Sequence, residues 1–281
     1  MASCYRHPSR ETAVSCSNCG RPICPDCMTT SPVGMRCPEC ARQTTKVRTI
    51  RSTTRGRSFT MTQALIAINL IVFFAEGSSA FTLTGEADPR LGGASWIFSH
   101  GLLFAPYIRF DHDYYLLVTS AFLHFDILHI ASNMWVLYLV GRLLEPVTGP
   151  RRFIAIYAVG LLAGSLGVML ISPNSPSAGA SGAIFGLLAG AFLEAHQRGA
   201  EAVRNQLLIW IVFNLVITFS IPEISIGAHI GGLIGGGLAT LAFRRADEMR
   251  RPALGWAACV SLMVIAVAAA IIVADHAPLP S

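Results

Sequence analysis

Seven apolar blocks decide what this chain can become. They lie near residues 61–76, 115–141, 153–172, 180–195, 206–221, 225–243 and 254–274, after a polar stretch of about sixty residues. A helix needs roughly 20 apolar residues to cross a bilayer, so the blocks predict an all-α membrane protein with seven spans. Hydrophobic residues make up 53% of the 281 and charged residues only 13%, with a mean hydropathy of +0.54, which excludes an ordinary soluble domain. The fourth and sixth blocks are short of that length and rich in glycine.

The basic residues give an orientation. Of 21 Lys and Arg, ten precede the first block, three fall at 142–152, two at 198–204 and four at 244–251. The opposite set of loops holds only Arg90 and Arg109, both in the 77–114 connection. This positive-inside pattern predicts a multi-pass protein of the plasma membrane, its amino terminus cytoplasmic and the tail after Asp275 outside. The flanking charges account for the net charge of +5, so the bilayer is the expected partner and nucleic acid is not. The first twenty residues hold no apolar stretch, and no signal peptide is expected.

Seven of the eight cysteines fall before the first span: Cys4, Cys16, Cys19, Cys24, Cys27, Cys37 and Cys40. With His7 they read C-x2-H, C-x2-C, C-x2-C, C-x2-C. Eight ligands in four pairs match two tetrahedral zinc ions, each pair gripping a metal through a tight turn. One zinc, or an iron centre, is the alternative, and pairing of sequence neighbours is open to the same spacing. Disulfides do not suit a segment on the cytoplasmic side, where thiols stay reduced. The order of pairs resembles zinc modules of the B-box type. That resemblance implies Cys4, His7, Cys24 and Cys27 on one ion and Cys16, Cys19, Cys37 and Cys40 on the other. A module of about forty residues with so few apolar ones depends on metal to fold. Its expected job is structural, or the recruitment of a cytoplasmic protein partner. Residues 44–60 read as a flexible basic linker, and Cys259, in the last span, as a packing residue.

The second, fourth and sixth spans enter from the outer face, and each carries unusual polar residues near its start. The second has His124, His129 and Asn133, the fourth Ser181 and the sixth His229. His129 and Asn133 are four apart and share a helix face. The fourth span has Gly182, Gly186 and Gly190 at four-residue spacing, and the sixth has Gly227, Gly231 and Gly235 with Gly232 and Gly236 beside them. Small residues at that spacing let helices touch in lipid. If the two glycine faces meet, a bond between Ser181 and His229 becomes geometrically reasonable.

A serine hydroxyl attacks only when a neighbouring base takes its proton, and His229 is the sole histidine of the sixth span. No Asp or Glu lies at that depth, which predicts a dyad. Ser181 at a helix start would have free N–H groups beside a developing oxyanion, and His129 and Asn133 would add side-chain donors.

G-A-S-G at 179–182, A-H-I-G-G at 228–232 and H-x4-H-x3-N at 124–133 resemble the signature set of rhomboid intramembrane serine proteases. The likeness covers about residues 60–245 and implies a six-helix bundle around a water-filled cavity. It implies Ser181 as nucleophile and His229 as base, with His129, Asn133 and the Ser181 amide as the oxyanion site. His124, Gly179 and Gly182 support that site, and Phe185 matches an aromatic position that packs on the catalytic histidine. The resulting organisation is a zinc module at 1–43, the linker at 44–60, a rhomboid core at 61–245 and a seventh helix at 254–274. Transmembrane proteins would be the substrates, cut near the outer face after entering past the fifth span, with 222–226 as a lid. A catalytically inactive, client-binding relative is the alternative. One departure stands out: many rhomboids carry Trp-Arg in the first external loop where this chain has Tyr115-Leu116.

Overall fold

The computed structural model describes residues 2–31, 34–42, 60–76, 96–221 and 224–278. They separate into two units, Met1–Ser58 and Phe59–Ser281. The expected linker, Thr60 apart, lies outside the described residues, as do positions 222 and 223 of the expected lid.

The first unit is two small antiparallel hairpins and one helical turn. β1 (Ala2–Ser3) pairs with β2 (Glu11–Thr12), and β3 (Thr29–Ser31) with β4 (Gly34–Arg36), before a five-residue helix, Pro38–Arg42. Its buried cluster consists of Ile23 and six cysteines. Thr12 Oγ1 ties the centre by donating to the Ile23 carbonyl at 2.8 Å.

The second unit is helical, with seven long helices: α1 (Met61–Ala75), α2 (Ile127–Thr148), α3 (Pro150–Ile171), α4 (Ser181–Gln197), α5 (Glu201–Ser220), α6 (Ile226–Glu248) and α7 (Pro252–His276). Among the described residues, α2, α3, α5, α6 and α7 are long and apolar enough to cross a membrane, while α1 is a shorter apolar helix of 15 residues. Local chemistry sets the helix starts. Thr60 and Gln63 form a reciprocal capping box on α1. Asp126 accepts from the His129 amide at 2.7 Å to cap α2, and Ser225 caps α6 through the Ala228 amide. Pro150 and Pro252 occupy first-turn positions of α3 and α7, where the missing N–H costs nothing.

The second span therefore begins later than the apolar pattern suggests. Residues 115–141 hold one apolar block, yet Leu116–Thr119 and Ser120–Phe122 are separate short turns and α2 starts only at Ile127. Asp126, with its extended backbone (φ −157°, ψ 175°), breaks the run, so His124 stands in the connection before the helix and not in its first turns.

Helix α4 is the axis of the bundle. Every residue from Gly182 to Ala191 is buried, which is why a 17-residue helix suffices. It packs against α2, α3, α5 and α6. Its approach to α6 is backbone on backbone: a Cβ on Gly232 would overlap the Gly182 carbonyl, and one on Gly236 would overlap Gly186. The Gly227, Gly231 and Gly235 stripe does not face α4. One residue of offset turns it about 100° around the helix, onto the backbones of Gly167, Ala163 and Val159 in α3. Thus α6 has two small-residue faces and presses into both neighbours. On α2, Glu145 is buried and accepts from the Met61 and Thr62 amides at 2.9 Å and from Thr62 Oγ1 at 2.7 Å, fastening the start of α1.

The connection before α2 is folded against the bundle. Leu103 and Ser177 exchange two backbone hydrogen bonds of 2.9 Å, joining this connection to the segment before α4. At the Tyr115-Leu116 departure, Leu116 is fully buried in a cluster with Leu103, Ile108 and Met169, and exposed Tyr115 bonds the His100 carbonyl at 3.4 Å. Arg109 reaches the Ala277 carbonyl at 3.0 Å instead. Trp96, Ile97, Tyr107 and Phe110 point outward, an apolar surface suited to lipid.

Gly232→Ala should destabilise the bundle by roughly 1–3 kcal/mol, because the added methyl has only the α4 backbone to displace. Gly237→Ala, where the nearest side-chain atoms are 3.7 Å and 4.0 Å away, should be neutral or slightly stabilising. Denaturant unfolding in detergent separates the two.

Candidate active site

Ser181, His229, His129 and Asn133 all sit at the starts of helices that run in the same sense. Ser181 is the first residue of α4, His229 is in the first turn of α6, and His129 and Asn133 lie in the first two turns of α2. The contact of α4 with α6 fixes the depth of the first two. A Cβ on Gly182 would stand 3.2 Å from the Ala228 carbonyl, so the residues next to Ser181 and His229 touch. Ser181 is half-buried and His229 is buried.

Three neighbours hold the His229 ring. Phe185, one turn along α4, stacks on it with centroids 4.1 Å apart and planes 17° from parallel. The α6 backbone carries it between the glycine contacts above and below. Thr218 Oγ1, near the end of α5, lies 2.6 Å from Nδ1. Among the described residues the side-chain hydrogen bond of His229 runs to Thr218 and not to Ser181. Thr218 had escaped the sequence reading, which looked for a carboxylate. Its only signal there is a hydroxyl near the end of the apolar block before His229.

The donors cluster on the other side of Ser181. Gly179 has φ +126°, a conformation that side chains avoid, and a Cβ there would stand 2.8 Å from His129 Nε2. Glycine lets the imidazole edge reach the backbone just before the serine. The Gly179 amide donates to the Ser120 carbonyl at 2.9 Å, which pins this approach to the connection before α2. His129 Nδ1 accepts from the Phe125 amide at 3.4 Å, and its own amide is bound by Asp126. A neutral ring with Nδ1 accepting carries its hydrogen on Nε2, the edge turned to Gly179. Asn133 Nδ2 donates one hydrogen to the His129 carbonyl at 2.9 Å and retains a second. As the first residue of α4, Ser181 has an amide with no partner inside the helix. His124 is fully buried with its ring centroid 5.0 Å from that of His129. Neither of its nitrogens has a hydrogen-bond partner among the described residues, so it supports His129 by packing.

The amino-terminal unit brings its ligands together in two groups, Cys4 with His7, Cys24 and Cys27, and Cys16 with Cys19, Cys37 and Cys40. Within each group the ligand atoms all lie within 4.8 Å of one another. The groups do not follow sequence neighbours: one joins the first pair with the third, the other the second with the fourth. The distances suit a metal. A tetrahedron with about 2.3 Å arms has edges of about 3.8 Å, and Cys19 Sγ to Cys37 Sγ is 3.8 Å. His7 Nδ1 lies 3.3 Å from Cys24 Sγ, 3.4 Å from Cys27 Sγ and 4.0 Å from Cys4 Sγ. All eight cysteines are free of disulfides. The Cys37 amide donates to Cys16 Sγ at 3.3 Å, and this bond leads in pulling the Cys16 thiol below its ordinary range, toward the thiolate that a metal needs.

Residues 111–246 match the Rhomboid domain family model. The chain is 37% identical over 133 residues to "Rhomboid protease GluP" of Bacillus subtilis, covering 46% of this chain and 26% of that protein. It is 29% identical over 196 residues to "RHOMBOID-like protein 1" of Arabidopsis thaliana, 64% of this chain and 50% of the relative. It is also 32% identical over 164 residues to "Inactive RHOMBOID-like protein 8" of the same plant, 56% of this chain and 42% of the relative. The chain thus spans half or less of the length of these relatives.

Gly179→Ala should cost roughly 1–3 kcal/mol through its backbone conformation alone, and its methyl should displace the His129 ring. Unfolding in detergent measures the first effect, and a shift of the His129 ring resonances reports the second.

Proposed function

We propose, from the premise that residues 111–246 form a rhomboid domain, that this chain is an intramembrane serine endopeptidase with Ser181 as nucleophile and His229 as base. The observation that carries the reading is the α4–α6 glycine contact, which brings the serine and histidine segments together at one depth beside the His129 edge. In the reaction so read, Ser181 Oγ attacks the scissile carbonyl carbon while His229 Nε2 takes its proton. The carbonyl oxygen becomes an oxyanion, held by the Ser181 amide, His129 Nε2–H and the second hydrogen of Asn133 Nδ2. Collapse breaks the C–N bond, and His229 returns the proton to the leaving amine. Water, deprotonated by the same imidazole, then releases the acyl group and restores Ser181.

The substrates under this reading are transmembrane helices, cut near the outer face. Helix α5 supports lateral entry. Among its residues only Leu207, Ile211 and Thr218 are buried, while Leu208, Ile209, Val212, Phe213, Val216 and Phe219 face outward. A helix so weakly embedded is the easiest to displace. The orientation drawn from the charges places the cut on the outer side of the plasma membrane and the metal clusters in the cytoplasm.

For those clusters the reading is two structural zinc ions, one per group of four ligands, in a unit where Ile23 is the only other buried apolar residue among the described residues. Its role would be to hold a surface for a cytoplasmic protein partner. A relative named inactive keeps a second reading in view, a client-binding protein without catalysis.

Ser181→Ala and His229→Ala should each abolish cleavage of a model transmembrane substrate, and a fluorophosphonate probe should label Ser181. Cleavage that survives either change refutes the peptidase, and an unlabelled protein favours client binding. Purified protein should carry two zinc ions per chain, Cys24→Ser should carry one, and strong chelation should unfold residues 1–45 while leaving the helical signal of the bundle intact.

A further inference from the structure

Thr218 Oγ1 lies within hydrogen-bond distance of two groups, His229 Nδ1 at 2.6 Å and the Asn214 carbonyl at 2.7 Å. A threonine hydroxyl has one hydrogen and two lone pairs. The Asn214 carbonyl can only accept, so the hydroxyl hydrogen is spent there. The contact with His229 must then run the other way, with Nδ1–H donating to Oγ1. That leaves Nε2 of the neutral ring without a hydrogen and with its lone pair free.

We infer that Thr218 is a positioning residue that fixes His229 in the Nδ1–H form and so keeps Nε2 as the base for Ser181. The inference rests on the peptidase reading for its consequence, though not for its geometry. A base presenting a hydrogen to the nucleophile cannot take another, so selection of one ring form is a requirement of the chemistry. In a serine hydrolase with a carboxylate partner, the acid supplies this selection. Here the described residues bring no carboxylate to Nδ1, and a neutral hydroxyl oriented by its own helix backbone takes that place. Its burial makes the arrangement durable: Thr218 is 2% exposed and His229 7%, which leaves water little access to the contact between Oγ1 and Nδ1. The stacked Phe185 ring blocks tilting of the imidazole, and Thr218 blocks the wrong proton arrangement.

Two measurements test it on the full-length protein in detergent or bicelles. Thr218→Val keeps the shape and removes the hydroxyl, and should lower kcat about tenfold with KM within about twofold. Thr218→Ser restores the hydroxyl and should recover most of the rate. A Thr218→Val enzyme with the wild-type kcat overturns the proposal. Independently of activity, nitrogen-15 spectra of histidine-labelled protein, assigned by difference from His229→Ala, should show His229 protonated on Nδ1 in the wild type. They should show a mixture of both forms in Thr218→Val. A wild-type ring protonated on Nε2 overturns the proposal too. The spectra can be read in a Ser181→Ala background, so an inactive protein would refute the peptidase reading and leave the proton assignment to be judged alone.

Discussion

The bare backbone contact between α4 and α6 is the constraint on which the rest of this membrane unit depends. Lipid offers helices little hydrophobic reason to associate, so close association must come from van der Waals packing at short range. Gly182 against Gly232 and Gly186 against Gly236 supply it, backbone on backbone at those positions. The consequence reaches beyond stability. Two helices that meet at glycines cannot slide or rotate without overlap, so the depth and azimuth of Ser181 and His229 are set by the same atoms that hold the bundle. The second glycine face of α6, against α3, locks the helix from its other side.

Around that rigid contact the polar groups sit at helix starts. Under the peptidase reading, this placement resolves the conflict between a polar reaction and an apolar medium. Gly179 and Ser181 lie at one such start, Asp126 and His129 at another, Ser225 and His229 at a third. The connection before α2 completes the layer: it lends a carbonyl to Gly179 and a backbone pair to Ser177 and buries Leu116 as its own anchor. At the Tyr115-Leu116 departure the anchor is thus apolar.

Much of this was legible in the residues, and the reasons for the rest are specific. The apolar blocks and the four-residue glycine spacing exposed the helices, because both report directly on a lipid-facing or helix-facing surface. The start of α2 was misplaced because Leu, Val, Ala and Phe around 116–122 are as apolar as a span; only Asp126 marks the break, and one acidic residue is a faint signal inside a hydrophobic run. The glycine stripe that faces α4 could not be chosen from sequence, since 231 and 232 are both glycine and differ only by the 100° turn between them. The cross-pairing of the cysteine and histidine groups needed the fold, because local spacing is the same for every C-x2-C. Thr218 was invisible for a related reason: a threonine in a span usually bonds its own helix, and here it does that as well.

Under the peptidase reading, two demands on α5 pull against each other. Its outward face is apolar and few of its residues are buried, as a helix that moves aside for a substrate requires. Yet its carboxy-terminal end carries the hydroxyl that holds His229. A displacement of α5 large enough to admit a transmembrane segment would separate Thr218 from the imidazole and release the ring to both proton arrangements. The base would be set only when α5 returns against the loaded site. Entry and chemistry would then be ordered in time by one hydrogen bond, and a substrate that holds α5 open would occupy the cavity without being cut. Selectivity in such a device comes from which segments allow closure and not from side-chain pockets alone. With α3, α4 and α6 locked by their backbone contacts, that reading assigns the selectivity to α5.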